Sequence, residues 1–453
     1  MWTTVLAYVL GALIMLLGIG LSIGLHEVGH LVPAKLFGLR VPRYMIGFGP
    51  TLFSRRKGET EYGIKLLPLG GYISMVGMYP PAKDGTVKTS RSGFFQNLSD
   101  EAKKAEAQTL LPTDKGRLFV ELPVWKRIVI MLGGPFVNLI LAFVFIAIVM
   151  VGFGTSTPTT TVSEVYRCVL TQQEQQARNA SDPVADECRA GDTPGPAYAA
   201  GLRAGDVVTS VDGVAVGRTD WDALTAAIQD KAGRPIEVVY KRDGASHATT
   251  LTPIKTTRPV TNKLGQVQSN PDGTAKTMDV GFAGIGSTTE VLPQPIWSVP
   301  AFVGENVKAV AGVVLDLPAK VIGVTKAAFG SEPRDPNGPI SIVGVGRIAG
   351  DITAMDTVSV KDKVASYLSL LGSLNIALFV FNLIPLTPLD GGHVAGALWE
   401  KIRKAFNRLS RRRDPGPVDL TKMLPVTYAV AAIMLLMGAV LIYADIVKPV
   451  TLG

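Results

Sequence analysis

Four stretches of this 453-residue chain contain no Asp, Glu, Lys or Arg: Met1 to Leu25, Ile128 to Ser163, Val364 to Leu389 and Met423 to Ala444. No other feature limits the possible folds so strongly. About 20 predominantly apolar residues cross ~30 Å of hydrocarbon as a helix, and lipid leaves the backbone no partner except itself, so each run predicts a membrane-spanning helix. A soluble enzyme would need four unusually long uncharged core helices to explain the same pattern. The first run lacks the basic flank of a cleaved secretory signal and continues directly into His26 and Glu27, so it is read as retained.

Orientation follows from the basic residues, which are kept on the cytoplasmic side of short connections. Leu31 to Arg127 holds 16 Lys/Arg against 8 Asp/Glu, and Trp399 to Lys422 holds 8 against 3, so both are expected inside. Gly152 to Lys363 holds 20 against 23 and is expected outside, together with both termini. The formal charge of +8 is thereby explained as an orientation signal, and no nucleic acid is called for. Cys168 and Cys188 are the two cysteines of the chain, and both lie in the exterior segment, where a disulfide can persist.

Between the spans the composition changes character. Arg43 to Gly77 alternates aromatic and β-branched residues with Gly and Pro, which predicts short strands joined by turns, whereas Tyr79 to Glu121 is polar and lacks periodicity, which predicts loose order. Outside, Asp206 to Val211 reads as a strand ending in the Asp212-Gly213 turn, Trp221 to Gln229 as a helix and Ile236 to Lys241 as a strand. That order, with GLRAGDVVTSVDG, resembles a bacterial, circularly permuted PDZ domain. Val299 to Gly330 reads as helical, but Glu305, Lys308, Asp316, Lys320 and Lys326 favour an interfacial or amphipathic helix over a fifth span. The expected fold is a multi-pass α-helical membrane protein with four transmembrane helices, at 1–31, 128–153, 364–398 and 423–444. A cytoplasmic loop at 32–127 carries membrane-associated β-strands at 43–77. An extracytoplasmic β-rich PDZ domain occupies 160–255, a linker and amphipathic helical region 256–363, and a basic cytoplasmic loop 399–422.

The chemistry concentrates in HEVGH, His26 to His30. On a helix the two histidines share a face, as two ligands of one Zn²⁺ must, and Glu27 projects beside them as a candidate base. Ionisable groups at the end of an apolar span are costly and mark function. A third ligand is needed, yet LVPAKLFGLRVP, which follows, offers no His, Asp or Glu. NLIPLTPLDGGH, Asn382 to His393, offers Asp390 and His393 among prolines and glycines that can unwind a helix. At 1.5 Å per residue, about 22 residues from Thr4 to His26 and about 25 from Ala365 to Asp390 give ~33 and ~37 Å, so both motifs arrive at the cytoplasmic side. The residues alone leave Asp390 and His393 undecided.

HEVGH, GFGP, LPLGGYISMVG, GGPFVNLILA, the PDZ-like module, GPISIVGVGRIAG and NLIPLTPLDGGH together resemble the site-2 protease family of intramembrane zinc metalloproteases, of the bacterial regulator-of-sigma-E-protease type, over nearly the whole chain. The resemblance implies Zn²⁺ as cofactor, Asp390 as third ligand, Glu27 as catalytic base and His393 as a supporting group. Separately from the resemblance, Arg43 to Gly77, with Gly70 and Gly71, is read as a strand edge that binds substrate by β-addition or else as a hairpin capping the bundle, and Asn382 as a holder of substrate or the developing oxyanion or else as a helix-packing residue. A bacterial inner-membrane location is implied as well, and the partners would be the lipid bilayer and single-pass membrane substrates such as anti-sigma factors or remnant signal peptides. One PDZ module is visible where some relatives have two. Two other classes remain in view. A metal transporter would use the ligands but leave Glu27 and the PDZ module without a role, and an inactive PDZ scaffold would leave the zinc motif without one.

Overall fold

The computed structural model describes residues 2–78, 110–169, 188–189, 191–260, 267–268, 270, 274–330, 334, 338–413, 416–418 and 423–449. Two compact units emerge, one of Met1–Val149 with Ile296–Gly453, the other of Met150–Pro295.

The first unit is a helical bundle. α1 (Trp2–Leu36) carries HEVGH in its last third, and α2 (Val124–Ala147) runs on into a π-helical turn, Ile148–Phe153. Small residues let the two backbones meet: a Cβ on Gly29 would lie 2.3 Å from the carbonyl oxygen of Gly133, and one on Gly133 would lie 2.0 Å from that of Gly29. Further along come α4 (Ser298–Leu315), α5 (Leu317–Phe329), α6 (Ile342–Ala354), α7 (Val360–Asn382), α8 (Asp390–Leu409) and α9 (Leu424–Val447). Met15, Ile19 and Ala349 form a buried contact at which α1 packs on α6, with Leu371 of α7 closing it. Leu6, Leu17, Leu21 and Phe136 stay exposed, as lipid-facing side chains should.

Among the described residues, five helices are long and apolar enough to cross a membrane, one more than the uncharged runs suggest. The additional one is α4, whose mean hydropathy of 1.3 is the lowest of the five, because Glu305 and Lys308 sit within it.

The loop after α1 forms β1 (Arg43–Lys57) and β2 (Thr60–Ser74), an antiparallel hairpin bent back on itself, so that Arg43–Ile46 pairs with Gly71–Ser74 on one side and with Glu61–Ile64 on the other. Irregular register between Arg43 and Phe53 bends β1, and Gly47 and Gly49, both at positive φ, absorb the bend. Of the segment expected to be loosely ordered, 79–109 lies outside the described residues. The rest, 110–121, is well built: Leu118 and Phe119 bury against Leu39, Val41 and Val76, and Asp114 accepts two 2.6 Å hydrogen bonds from the Arg40 guanidinium. A paired charge set in an apolar cluster orders this stretch despite its polar composition.

Among its described residues, the second unit is an antiparallel sheet packed against a nine-residue helix and a short one, Pro196–Ala199. β3 (Thr155–Val165), β4 (Val207–Val211), β5 (Ile236–Arg242), β6 (Ala245–Leu251) and β9 (Ile285–Leu292) align in the order β9-β3-β4-β5-β6. β7 (Ile254–Pro259) and β8 (Thr277–Phe282) form a separate ribbon. α3 (Trp221–Gln229) buries Leu224 and Ile228 against Val208, Ile236 and Val238, the period-two face of the strands. Because β8 and β9 belong here, the unit extends well beyond residue 255. Cys168 and Cys188 are disulfide-bonded, with Cα atoms 5.8 Å apart.

Candidate active site

His26 and His30 lie one helical turn apart on α1 and are 8% and 4% exposed. Their Nε2 atoms are 3.2 Å apart, and Asp390 Oδ2 lies 3.4 Å from the first and 3.3 Å from the second. Donor atoms held ~2.0–2.1 Å from one tetrahedral Zn²⁺ stand about 3.3–3.4 Å from each other. The three groups therefore suit zinc in chemistry and in spacing. Asp390 Oδ2 is buried and has no hydrogen-bond partner. Among the described residues this is the one cluster of three or more His, Cys, Asp or Glu side chains able to hold a metal ion.

Asp390 reaches this position because the chain between α7 and α8 folds back on itself. A Cβ on Gly391 would lie 2.4 Å from the Ile384 carbonyl oxygen, and one on Gly392 would lie 2.5 Å from the Thr387 nitrogen. Any larger residue at either position would push the first turn of α8, and Asp390 with it, away from α1.

α2 sets the histidine rings. His30 Nδ1 lies 2.8 Å from the Ile130 carbonyl oxygen, so the ring donates there and turns an Nε2 lone pair towards Asp390. His26 Nδ1 lies 2.9 Å from Asn138 Nδ2, and the amide turned over to present its otherwise unpartnered oxygen would accept from Nδ1–H and set the same tautomer. Gly134 leaves room for both rings, since a Cβ there would stand 2.3 Å from His30 Nε2 and 2.7 Å from His26 Nε2. Asn138 and Gly134 are not among the site residues expected from the sequence. The available signal was a polar residue and paired glycines in an otherwise apolar span, GGPFVNLILA.

The triangle of His26, His30 and Asp390 opens on a cavity of about 300 Å³. Glu27 lines it, beside Ile73 of β2. Gly71 lines it too, close enough that a Cβ would lie 3.0 Å from Glu27 Cγ, and Asn382 contributes from the end of α7. Gly70 does not line it: its side-chain direction is filled by the Phe48 ring, 2.1 Å from a Cβ built there, so its absent side chain serves the hairpin instead. His393 borders the cavity one turn along α8 but stands outside that triangle, with Nδ1 unpartnered.

The family described as Peptidase family M50 matches residues 14–413. The chain is 33% identical over 448 residues to "Zinc metalloprotease Rip1" of Mycobacterium bovis (strain BCG / Pasteur 1173P2), covering 98% of this chain and 99% of that one. It is 31% identical over 456 residues to the protein of the same name from Mycolicibacterium smegmatis, covering 98% of each. "Metalloprotease MmpA" of Caulobacter vibrioides is 25% identical over 410 residues, covering 87% of this chain and 88% of that one.

Proposed function

The chain belongs to peptidase family M50, and on that premise we propose that this zinc metalloprotease cuts peptide bonds within membrane-spanning substrates, with His26, His30 and Asp390 as ligands and Glu27 as base. The observation that carries the reading is the 3.2, 3.3 and 3.4 Å triangle of donor atoms beside Glu27. Bound there, Zn²⁺ would polarise the scissile carbonyl and acidify water at its open position. Glu27 accepts the proton of the attacking water and returns it to the leaving amide nitrogen. Gly71 keeps Glu27 in place by close backbone approach.

The hairpin supplies a second requirement, an unwound substrate. Gly71, Tyr72 and Ile73 of β2 border the cavity, so a substrate strand added along that edge would bring its backbone to the ligands. Phe48, Leu52, Phe53, Leu66 and Leu67 leave the hairpin with an exposed apolar surface suited to lipid. Asn382 faces the same cavity and would hold the substrate backbone or the developing oxyanion.

Topology supports four crossings. Asp390 meets His26 and His30, so α1 and α7 end at the same membrane face and run in one direction. α2 runs the opposite way, because its start lies against the end of α1. An even number of crossings must then separate α2 from α7. α5 and α6, at 13 residues each, span only ~20 Å, so a crossing by α4 would have no return. α4 is therefore assigned to the exterior side, with the β-rich unit as a PDZ-type domain, both termini outside, and the zinc site towards the cytoplasm of a bacterial inner membrane. Substrates are single-pass membrane proteins such as anti-sigma factors. In vesicles, Glu27→Gln should keep one zinc per chain and lose cleavage of a single-pass substrate, while Asp390→Ala should lose both. Stoichiometric zinc in Asp390→Ala would overturn the ligand assignment.

A further inference from the structure

α8 carries a surface that the zinc site does not use. Its protein-facing side is fixed: Glu400, 1% exposed, accepts hydrogen bonds of 2.7 and 3.0 Å from Arg127 of α2, and Lys404 lies 2.9 Å away. At helical spacing the opposite side presents Leu398, Trp399, Ile402, Phe406 and Leu409, which are 46%, 58%, 59%, 62% and 89% exposed. Lys401 and Arg408 flank this stripe, Arg411, Arg412 and Arg413 follow its end, and all five are exposed. A contiguous apolar stripe of this kind in water marks an interaction surface.

Its depth can be read from α2. Gly134 touches the histidines, whereas Arg127, about two turns nearer the cytoplasmic end, holds Glu400. α8 thus starts at the level of the zinc site and reaches the level where α2 emerges by its middle. Trp399 to Leu409 then lie where lipid headgroups begin. The basic flank identifies the occupant. A second copy of this chain would bring the same five cations and repel, whereas a phosphate-bearing leaflet complements them.

We propose that α8 docks onto anionic lipid of the cytoplasmic leaflet, with its apolar stripe at the acyl boundary and Lys401, Arg408, Arg411, Arg412 and Arg413 on lipid phosphates. Because Asp390 is the first residue of the same helix, this seating steadies the third ligand. That consequence rests on the zinc reading above, while the docking does not.

The test uses the full-length protein in phosphatidylcholine vesicles with and without phosphatidylglycerol, carrying a nitroxide on Phe406→Cys or on Arg408→Cys. With the anionic lipid, the label at 406 should become several-fold more accessible to oxygen than to an aqueous nickel chelate, and the label at 408 should show the reverse. Replacing the five cations by Gln should abolish the lipid dependence. A label at 406 open to nickel in both lipids, or shielded from both reagents by a protein partner, overturns the docking. Zinc release to a chelator, measured alongside, should be several-fold slower with the anionic lipid, and an equal rate in both lipids severs the link to Asp390. A protein holding no zinc in either lipid defeats the zinc reading alone, since the spin-label depths still decide the docking.

Discussion

Asn138 meets His26 with a neutral amide, and the choice matters at that depth. A carboxylate would satisfy the same Nδ1–H but would add a second buried negative charge beside Asp390, whereas an amide orients the ring at no Coulombic cost. Asn138→Leu should weaken zinc about 10- to 100-fold, the usual loss when a ligand's supporting hydrogen bond is removed, as measured by chelator competition. An unchanged zinc affinity would mean that packing alone orients the ring. Far from the metal, the Arg40 guanidinium holds the Asp114 carboxyl below the usual Asp range through its hydrogen bonds. A depressed carboxylate stabilises above its unfolded value, about 3.9, and that contribution disappears as pH falls through the lower folded value. Asp114→Ala should therefore cost about 3 kcal/mol at neutral pH, because it removes one partner of a buried ion pair. The difference in melting temperature from the wild type should shrink only in acid.

At the scale of elements, what the sequence discloses depends on how local the cause is. The membrane helices follow from uncharged runs, and the 2 and 3.6 periods place β4, α3 and β5 almost to the residue, because lipid and period act on neighbours in the chain. HEVGH was legible for the same reason. The choice of a third group was not, since Asp390 and His393 are one turn apart and only the fold-back of 383–389 brings Asp390 to His26 and His30. The buried turn at 110–121 was hidden too, because its partners, Arg40, Val41 and Val76, are distant in sequence and its own composition is polar. α4 looked too charged to count and is nonetheless long and apolar enough, so its placement needed the direction of α7 rather than its own residues. The fold-back gives a direct test. Gly391→Ala keeps every ligand and the helical content, but its methyl meets the Ile384 and Leu383 carbonyl oxygens at 2.4 and 2.5 Å. Zinc content should fall well below one per chain with an unchanged circular dichroism spectrum. Full occupancy would show that the α7–α8 connection yields.

At the scale of the whole molecule, the question is what the folded unit of Met150–Pro295, proposed to lie outside, contributes to a reaction proposed to take place towards the cytoplasm. Under the proposed topology it cannot reach the scissile bond, so its contribution must be to which substrates arrive. A folded domain of this kind would bar proteins that keep a bulky exterior part and admit those already shortened. The structure shows where to cut for a clean test. Deletion of 160–254 would leave half a sheet, because β3 pairs with β9 and β9 ends at Leu292. Thr155 and Leu292 are direct partners across that pair, so removing 156–291 and joining them through a short linker spares the rest of the chain. The shortened enzyme should cut full-length substrates that the wild type rejects and should cut a pre-trimmed substrate at nearly the wild-type rate, both followed in proteoliposomes. Loss of cleavage of the trimmed substrate, with zinc retained, would mean that the unit recruits substrate rather than excludes it, as a domain that captures a newly exposed C-terminus would.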